Sequence, residues 1–200
     1  MIINKSITKE SVNKLPKVEF PGKIHLIETI EDCDEALLLL NKEKWLGIDS
    51  ETRPNFVKGR MHKVALLQIS TFKDCFLFRL NKIGLTKGLI HLLENSQITK
   101  VGLSLKDDFM MLKKRASFKQ NACIDLQDYV KFFGIKDRSL QKIYAILFNE
   151  KISKSKRLSN WEADPLTEAQ QEYAAIDAWS CLRIYALLEK LKADQNFEVV

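Results

Sequence analysis

The segment Trp45-Leu46-Gly47-Ile48-Asp49-Ser50-Glu51 (WLGIDSE, 45–51) starts apolar and ends acidic, and its length and apolar start read as a β-strand. Residues two apart in a strand point to the same side, so Asp49 and Glu51 present their carboxylates together while Ser50 faces the other way. Two like charges that close repel. In a largely apolar sheet the conflict raises one carboxylate's pKa unless a divalent cation is shared between them. The bland alternative is a strand that ends in polar residues at the surface, and D-x-E alone is too common to separate the two.

Outward from this strand, Lys63 to Ser70 and Cys75 to Arg79 read as further strands, and Lys23 to Glu28 as a short one ahead of a helix over Asp32 to Asn41. A helix over Thr86 to Asn95, a strand over Thr99 to Leu103 and a helix over Asp107 to Arg115 follow, and Ala122 to Leu126 completes a set of five core strands. Beyond Asp128 the pattern is helical: Asp128 to Phe133, Ser139 to Phe148, and a long final helix from Thr167 to about Lys192. Its start is marked by Pro165 and by the capping-box spacing of Thr167 and Gln170. Strands paired first as a meander and then joined through helices imply an α/β fold, a mixed sheet flanked by helices. One domain over 1–200 is expected, with residues 1–20 and the last several loosely held.

At 200 residues, 46% hydrophobic and 29% charged, the chain has the composition of a soluble domain with one full core. Apolar runs such as Ala36 to Leu40 fall far short of a membrane span, and the N-terminal residues lack a signal-peptide stretch, so a cytoplasmic location is expected. Cys33, Cys75, Cys123 and Cys181 show no C-x-x-C spacing, which excludes an evident disulfide framework or zinc site. His25, His62 and His91 are equally dispersed, leaving oxygen ligands as the metal chemistry available. The net charge of +6 and pI near 9.0 suit a polyanionic partner but also suit plain solubility.

Two more segments place acids where a metal site can use them. Asp107 and Asp108 lie in the first turn of a helix after the apolar strand of Lys100 to Leu103; the helix macrodipole alone favours acids there, so the residues themselves leave their purpose open. Tyr173 and Asp177 sit four apart on the final helix and share a face. Ala174, Ala175 and Ala178 let that helix approach the sheet closely, and a phenol that stays protonated at neutral pH is suited to orienting water. A core tyrosine beside a solvated aspartate accounts for the same pair.

Taken together, I-D-S-E-T-R-P (48–54), K-V-A-L-L-Q-I-S (63–70), K-V-G-L-S-L-K-D-D (100–108) and L-S-N-W-E-A-D-P-L-T-E-A-Q-Q-E-Y-A-A-I-D-A (158–178) resemble the DEDDy class of 3′ to 5′ exonucleases, in its RNase D and Werner-exonuclease branch. The resemblance covers nearly the whole chain. It implies an RNase H-like fold with a mixed five-stranded sheet. It also implies Asp49, Glu51, Asp108 and Asp177 as four metal-binding acids and Tyr173 as the tyrosine of the last motif; the family register K-V-G-x-x-x-K-x-D selects Asp108 over its neighbour Asp107. Two divalent cations, Mg²⁺ or Mn²⁺, balance four carboxylates. One is implied at Asp49, Glu51 and Asp177, to activate the attacking water with Tyr173 and Glu51 orienting it. The other is implied at Asp49 and, through water, Asp108, to stabilise the leaving 3′ oxygen.

The implied partner is DNA with a free 3′ end, on likeness to the Werner-type branch; RNA trimming, or a binding module without turnover, are the alternatives. Candidate nucleic-acid contacts are Arg53, Lys58, Arg60, His62 and Lys63 after the first acid pair, Lys106, and the basic run Lys151, Lys154, Lys156 and Arg157. Leu66, Phe109 and Trp161 are candidates for stacking on a terminal base, although core packing is the favoured reading for all three.

Overall fold

The computed structural model describes residues 1–55 and 62–200. In chain order the elements are β1 (Ile2–Ile3), α1 (Lys9–Lys14), β2 (Lys23–Ile27), α2 (Ile30–Leu40), β3 (Trp45–Thr52), β4 (Val64–Ser70), β5 (Asp74–Arg79), α3 (Leu80–Ile83), α4 (Lys87–Glu94), β6 (Thr99–Gly102), α5 (Leu105–Leu112), β7 (Cys123–Asp125), α6 (Leu126–Tyr129), α7 (Leu140–Phe148), α8 (Glu168–Asp194) and β8 (Glu198–Val199). A 3-10 turn over Val130–Phe133 continues α6, splitting the helix expected there into two short pieces. Among the described residues, no helix is long and apolar enough to cross a membrane.

The principal sheet has the order β2-β5-β4-β3-β6-β7. The β3-β4-β5 meander is antiparallel, while β6 joins β3, β7 joins β6 and β2 joins β5 in parallel. It therefore holds six strands rather than five. The short strand after Lys23 enters this sheet as its edge, anchored by His25, which stacks on Phe76 at 4.7 Å and meets Asp74 Oδ1 at 2.7 Å. Such pairing brings together residues some fifty positions apart, which local pattern does not encode.

β3 lies in the middle of the sheet, and its alternation divides the molecule. Leu46 and Ile48 join a core with α2, α4 and α5, including Leu37, Leu92, Leu105 and Phe109. The opposite face packs against α8, through Ala174, Ala175, Ile176, Ile184 and Leu188. Fully burying each leucine or isoleucine among them contributes about 1.5–3 kcal/mol. The 27-residue α8 starts in the expected capping box, with Thr167 and Gln170 satisfying each other's backbone N–H groups. It crosses β3 at backbone contact: a Cβ added to Gly47 would lie 2.1 Å from the carbonyl oxygen of Ala178. Glycine on the strand and alanine on the helix are what permit this approach.

The chain ends correct the expectation that they are loosely held. β1 pairs with β8, Ile3 is fully buried, and α1 is capped by the Thr8 hydroxyl, which accepts from Ser11 N–H. Ile7 N–H donates to Asp137 Oδ2 at 2.8 Å and Phe20 N–H to Glu172 Oε1 at 2.8 Å. Few apolar residues suffice here because the backbone donors find carboxylates on the folded body.

Candidate active site

Asp49 and Glu51, on the α8 face of β3, meet Asp177 of α8 so closely that one carboxylate oxygen from each lies within 4.8 Å of the others. The strand alternation supplies the first two and the close helix crossing supplies the third. Asp177 is buried; Asp49 and Glu51 are partly so. Burial, followed by the charges of Asp108, Asp177 and Glu51, raises Asp49 well above the carboxylate range. Burial, with Asp177 and Asp108 adding repulsion, pushes Glu51 up to about 9. Burial lifts Asp177 to about 7, against the lowering influence of the neighbouring Tyr173 hydroxyl and the Lys154 ammonium.

Tyr173 is buried one turn before Asp177, and its phenol is pushed far upward by burial and then by the carboxylates of Asp177 and Glu51. It remains a hydrogen-bond donor at any ordinary pH.

Asp108 arrives from the other face of the sheet. It lies in the first turn of α5, and Ser50, pointing away from Asp49 and Glu51, donates its hydroxyl to Asp108 Oδ1 at 2.5 Å. Asp108 stands outside the group of three yet close enough for its charge to raise Asp49, while its own carboxyl is lifted to about 6, chiefly by burial. Asp107, one residue earlier, is exposed to solvent. The turn entering α5 is pinned by Asp125, whose carboxylate accepts from the N–H groups of Ser104 and Leu105.

A cleft of about 460 Å³ opens onto Tyr173 and Asp177, with Arg138, Lys154 and Arg157 among its lining residues. The charge of Arg157 pulls Glu51 downward as that of Lys154 does Asp177, so part of the expected basic run 151–157 stands at the acids. Lys63 and Lys106 are exposed. Arg53 Nη1 donates to Glu162 Oε2 at 3.1 Å, and His62 Nδ1 lies 3.2 Å from Glu162 Oε1, so both expected nucleic-acid contacts share one carboxylate partner. Lys58 and Arg60 lie outside the described residues.

Trp161 is a correction. It is fully buried, its ring 5.9 Å from that of Tyr173, and it supports the tyrosine from within rather than offering a face to a base. Leu66 and Phe109 are likewise buried. Sequence reasoning missed Ser50, Glu162 and Arg138. For Ser50 the signal was present, in a hydroxyl flanked by two site acids on an alternating strand.

Three oxygen donors with raised pKa values form a hard-ligand set whose repulsion a divalent cation relieves, so the residues fit such an ion. Mixed sheet, flanking helices and converging acids on β3 and α8 define the class: a carboxylate site of the nuclease type on an RNase H-like scaffold. A family model described as 3′-5′ exonuclease matches residues 24–192, and the chain belongs to that family, in its DEDDy division, whose members use divalent metals to hydrolyse phosphodiester bonds.

Among its relatives, the mouse bifunctional 3′-5′ exonuclease/ATP-dependent helicase WRN is 31% identical over 94% of this chain. The chain spans only 14% of that protein. A 3′-5′ exonuclease of Arabidopsis thaliana is 30% identical, covering 88% of this chain and 67% of the relative. The exonuclease domain of Aedes aegypti Nibbler superposes with a TM-score of 0.78 at 23% identity, over 88% of this chain and 91% of that one, a likeness of fold.

Proposed function

We propose that this chain is a metal-dependent 3′ to 5′ exonuclease that acts on DNA and releases nucleoside 5′-monophosphates. The observation that carries the reading is the meeting of Asp49, Glu51 and Asp177 within 4.8 Å, beside a buried protonated tyrosine. Asp49, Glu51 and Asp177 would hold one Mg²⁺ or Mn²⁺, and Asp49 with Asp108 a second. Bound there, the cations supply Lewis-acid polarisation of the phosphate and make water a competent nucleophile at neutral pH.

The protein's own groups do the rest. Tyr173 donates a hydrogen bond that orients the attacking water, with Glu51 accepting from that water on its other side. The water oxygen forms its bond to phosphorus as the bond from phosphorus to the 3′ oxygen breaks; the proton that the water sheds passes by way of Glu51 to solvent, and the departing 3′ oxygen takes up a proton from solvent. Lys154 and Arg157, at the cleft, balance the phosphate charge that the acids would otherwise repel.

The DNA preference rests on identity to the Werner-type relative. The test is a 5′-labelled recessed duplex, a DNA single strand and an RNA single strand, each incubated with Mg²⁺, Mn²⁺ or EDTA. A stepwise ladder on DNA that vanishes in EDTA and in Asp49→Ala is the expected result. A ladder on RNA alone turns the reading to RNA trimming, and tight binding with no ladder under either metal overturns catalysis.

A further inference from the structure

A second cavity, of about 530 Å³, adjoins the cleft at the acids and shares part of its wall with it, including Ser139, Gln141 and Lys154. Beyond that shared stretch it is lined by Lys9 of α1, Lys142 of α7 and Lys151. Among the described residues, its lining contains four lysines and no acidic side chain. Lys142 is matched by Asp137 at 2.7 Å, and the Lys151 ammonium donates to the backbone oxygen of Asn13. Lys9 and Lys154 are exposed, one at each side of the groove.

The groove is built. Lys151 N–H donates to Pro16 O at 2.8 Å and Val18 N–H to Lys151 O at 3.0 Å, stitching the N-terminal segment to the basic run. Gln141 Nε2 donates to Ile152 O at 2.5 Å, closing the floor. One wall, α1, lies ahead of the stretch that the family model matches, which begins at residue 24.

We propose that this groove holds the phosphates upstream of the 3′-terminal nucleotide, so that a single strand runs from the acids past Lys154 and along the surface that α1 and α7 line together; the proposal rests on the exonuclease reading for the direction of the strand. A basic channel continuous with a catalytic cleft suits a polyanion whose end must reach the acids, because cationic side chains track a phosphate backbone irrespective of base.

Lys9→Glu is the test. The residue occupies the first position of α1, where an acid is favoured by the helix dipole, so the exchange leaves folding intact; a thermal melt verifies this. Binding of a fluorescent single strand of about ten nucleotides is followed by anisotropy in EDTA, and hydrolysis of a dinucleotide with Mg²⁺. Lys9→Glu is expected to weaken binding of the long strand about fivefold and to flatten its logarithmic salt dependence by about 0.7, with Lys9→Gln intermediate and dinucleotide hydrolysis unchanged. Unaltered affinity and salt slope overturn the groove, whatever the catalytic result. An affinity loss with no hydrolysis by the unmodified protein supports the groove and overturns the exonuclease reading.

Discussion

On its α8 face, β3 crowds Asp49 and Glu51 against Asp177, whereas on its α5 face Ser50 supplies Asp108 with a hydroxyl at 2.5 Å. The same strand thus carries a conflict on one side and a satisfied contact on the other. Three carboxylates within 4.8 Å are a poor arrangement for protein alone and a good one for protein plus cation. Asp108 adds its charge to Asp49 from the far side while holding the Ser50 hydroxyl as a partner. The difference separates three acids set by mutual crowding from one positioned by a hydrogen bond.

The largest expected effect lies on the crowded face. Asp49→Ala removes the residue shared by both proposed ions and is expected to lower kcat by about a thousandfold or more in a stopped radiolabel assay, a loss above that typical of outer-shell partners. Near-normal turnover in this variant would dissolve the contrast altogether. Next, Tyr173→Phe keeps the ring against Trp161 and deletes only the hydroxyl, with an expected fall in kcat of about a hundredfold at little change in KM.

The conflict also sets a pH signature in the metal-free protein. Unfolded carboxylates titrate near 4, whereas folded Glu51 is pushed up to about 9 and Asp177 to about 7. Between those limits the folded chain keeps protons that the unfolded chain has released, so the stability present at low pH is lost as pH rises through the folded values. The melting temperature in EDTA is expected to fall from about pH 5 toward pH 9. Saturating Mn²⁺ is expected to flatten that slope and to add about 2.7 kcal/mol at a hundredfold excess over Kd. A melting curve that ignores both pH and Mn²⁺ would show that the three acids are at ease without an ion.

Smaller effects sharpen the other face. Ser50→Ala is expected to lower kcat about tenfold through a misplaced Asp108, and Ser50→Thr to restore most of it. Exposed Asp107, changed to Ala, is expected to leave the rate within about twofold. If Asp107→Ala rather than Asp108→Ala abolishes cleavage, the role given to the α5 face is wrong.

Much of this was legible in local pattern. Alternation along 45–51 placed Asp49 and Glu51 together, the Thr167–Gln170 box located the start of α8, and four-residue spacing put Tyr173 beside Asp177. All three are short-range rules of strand and helix geometry. Illegible were features created by distant pairing. The pairing of β2 with β5, the docking of α1 and the Glu162 carboxylate shared by Arg53 and His62 each join residues far apart in the chain. For Trp161 the sequence allowed a stacking role beside the favoured core role, and the packing puts it in the core.

The contact of Gly47 with the Ala178 carbonyl makes the spacing between Asp49 and Asp177 a matter of main chain rather than of pliant side chains. A gauge of that kind gives little: any side chain added at position 47 would lift helix from strand and draw the Asp177 carboxylate away from Asp49.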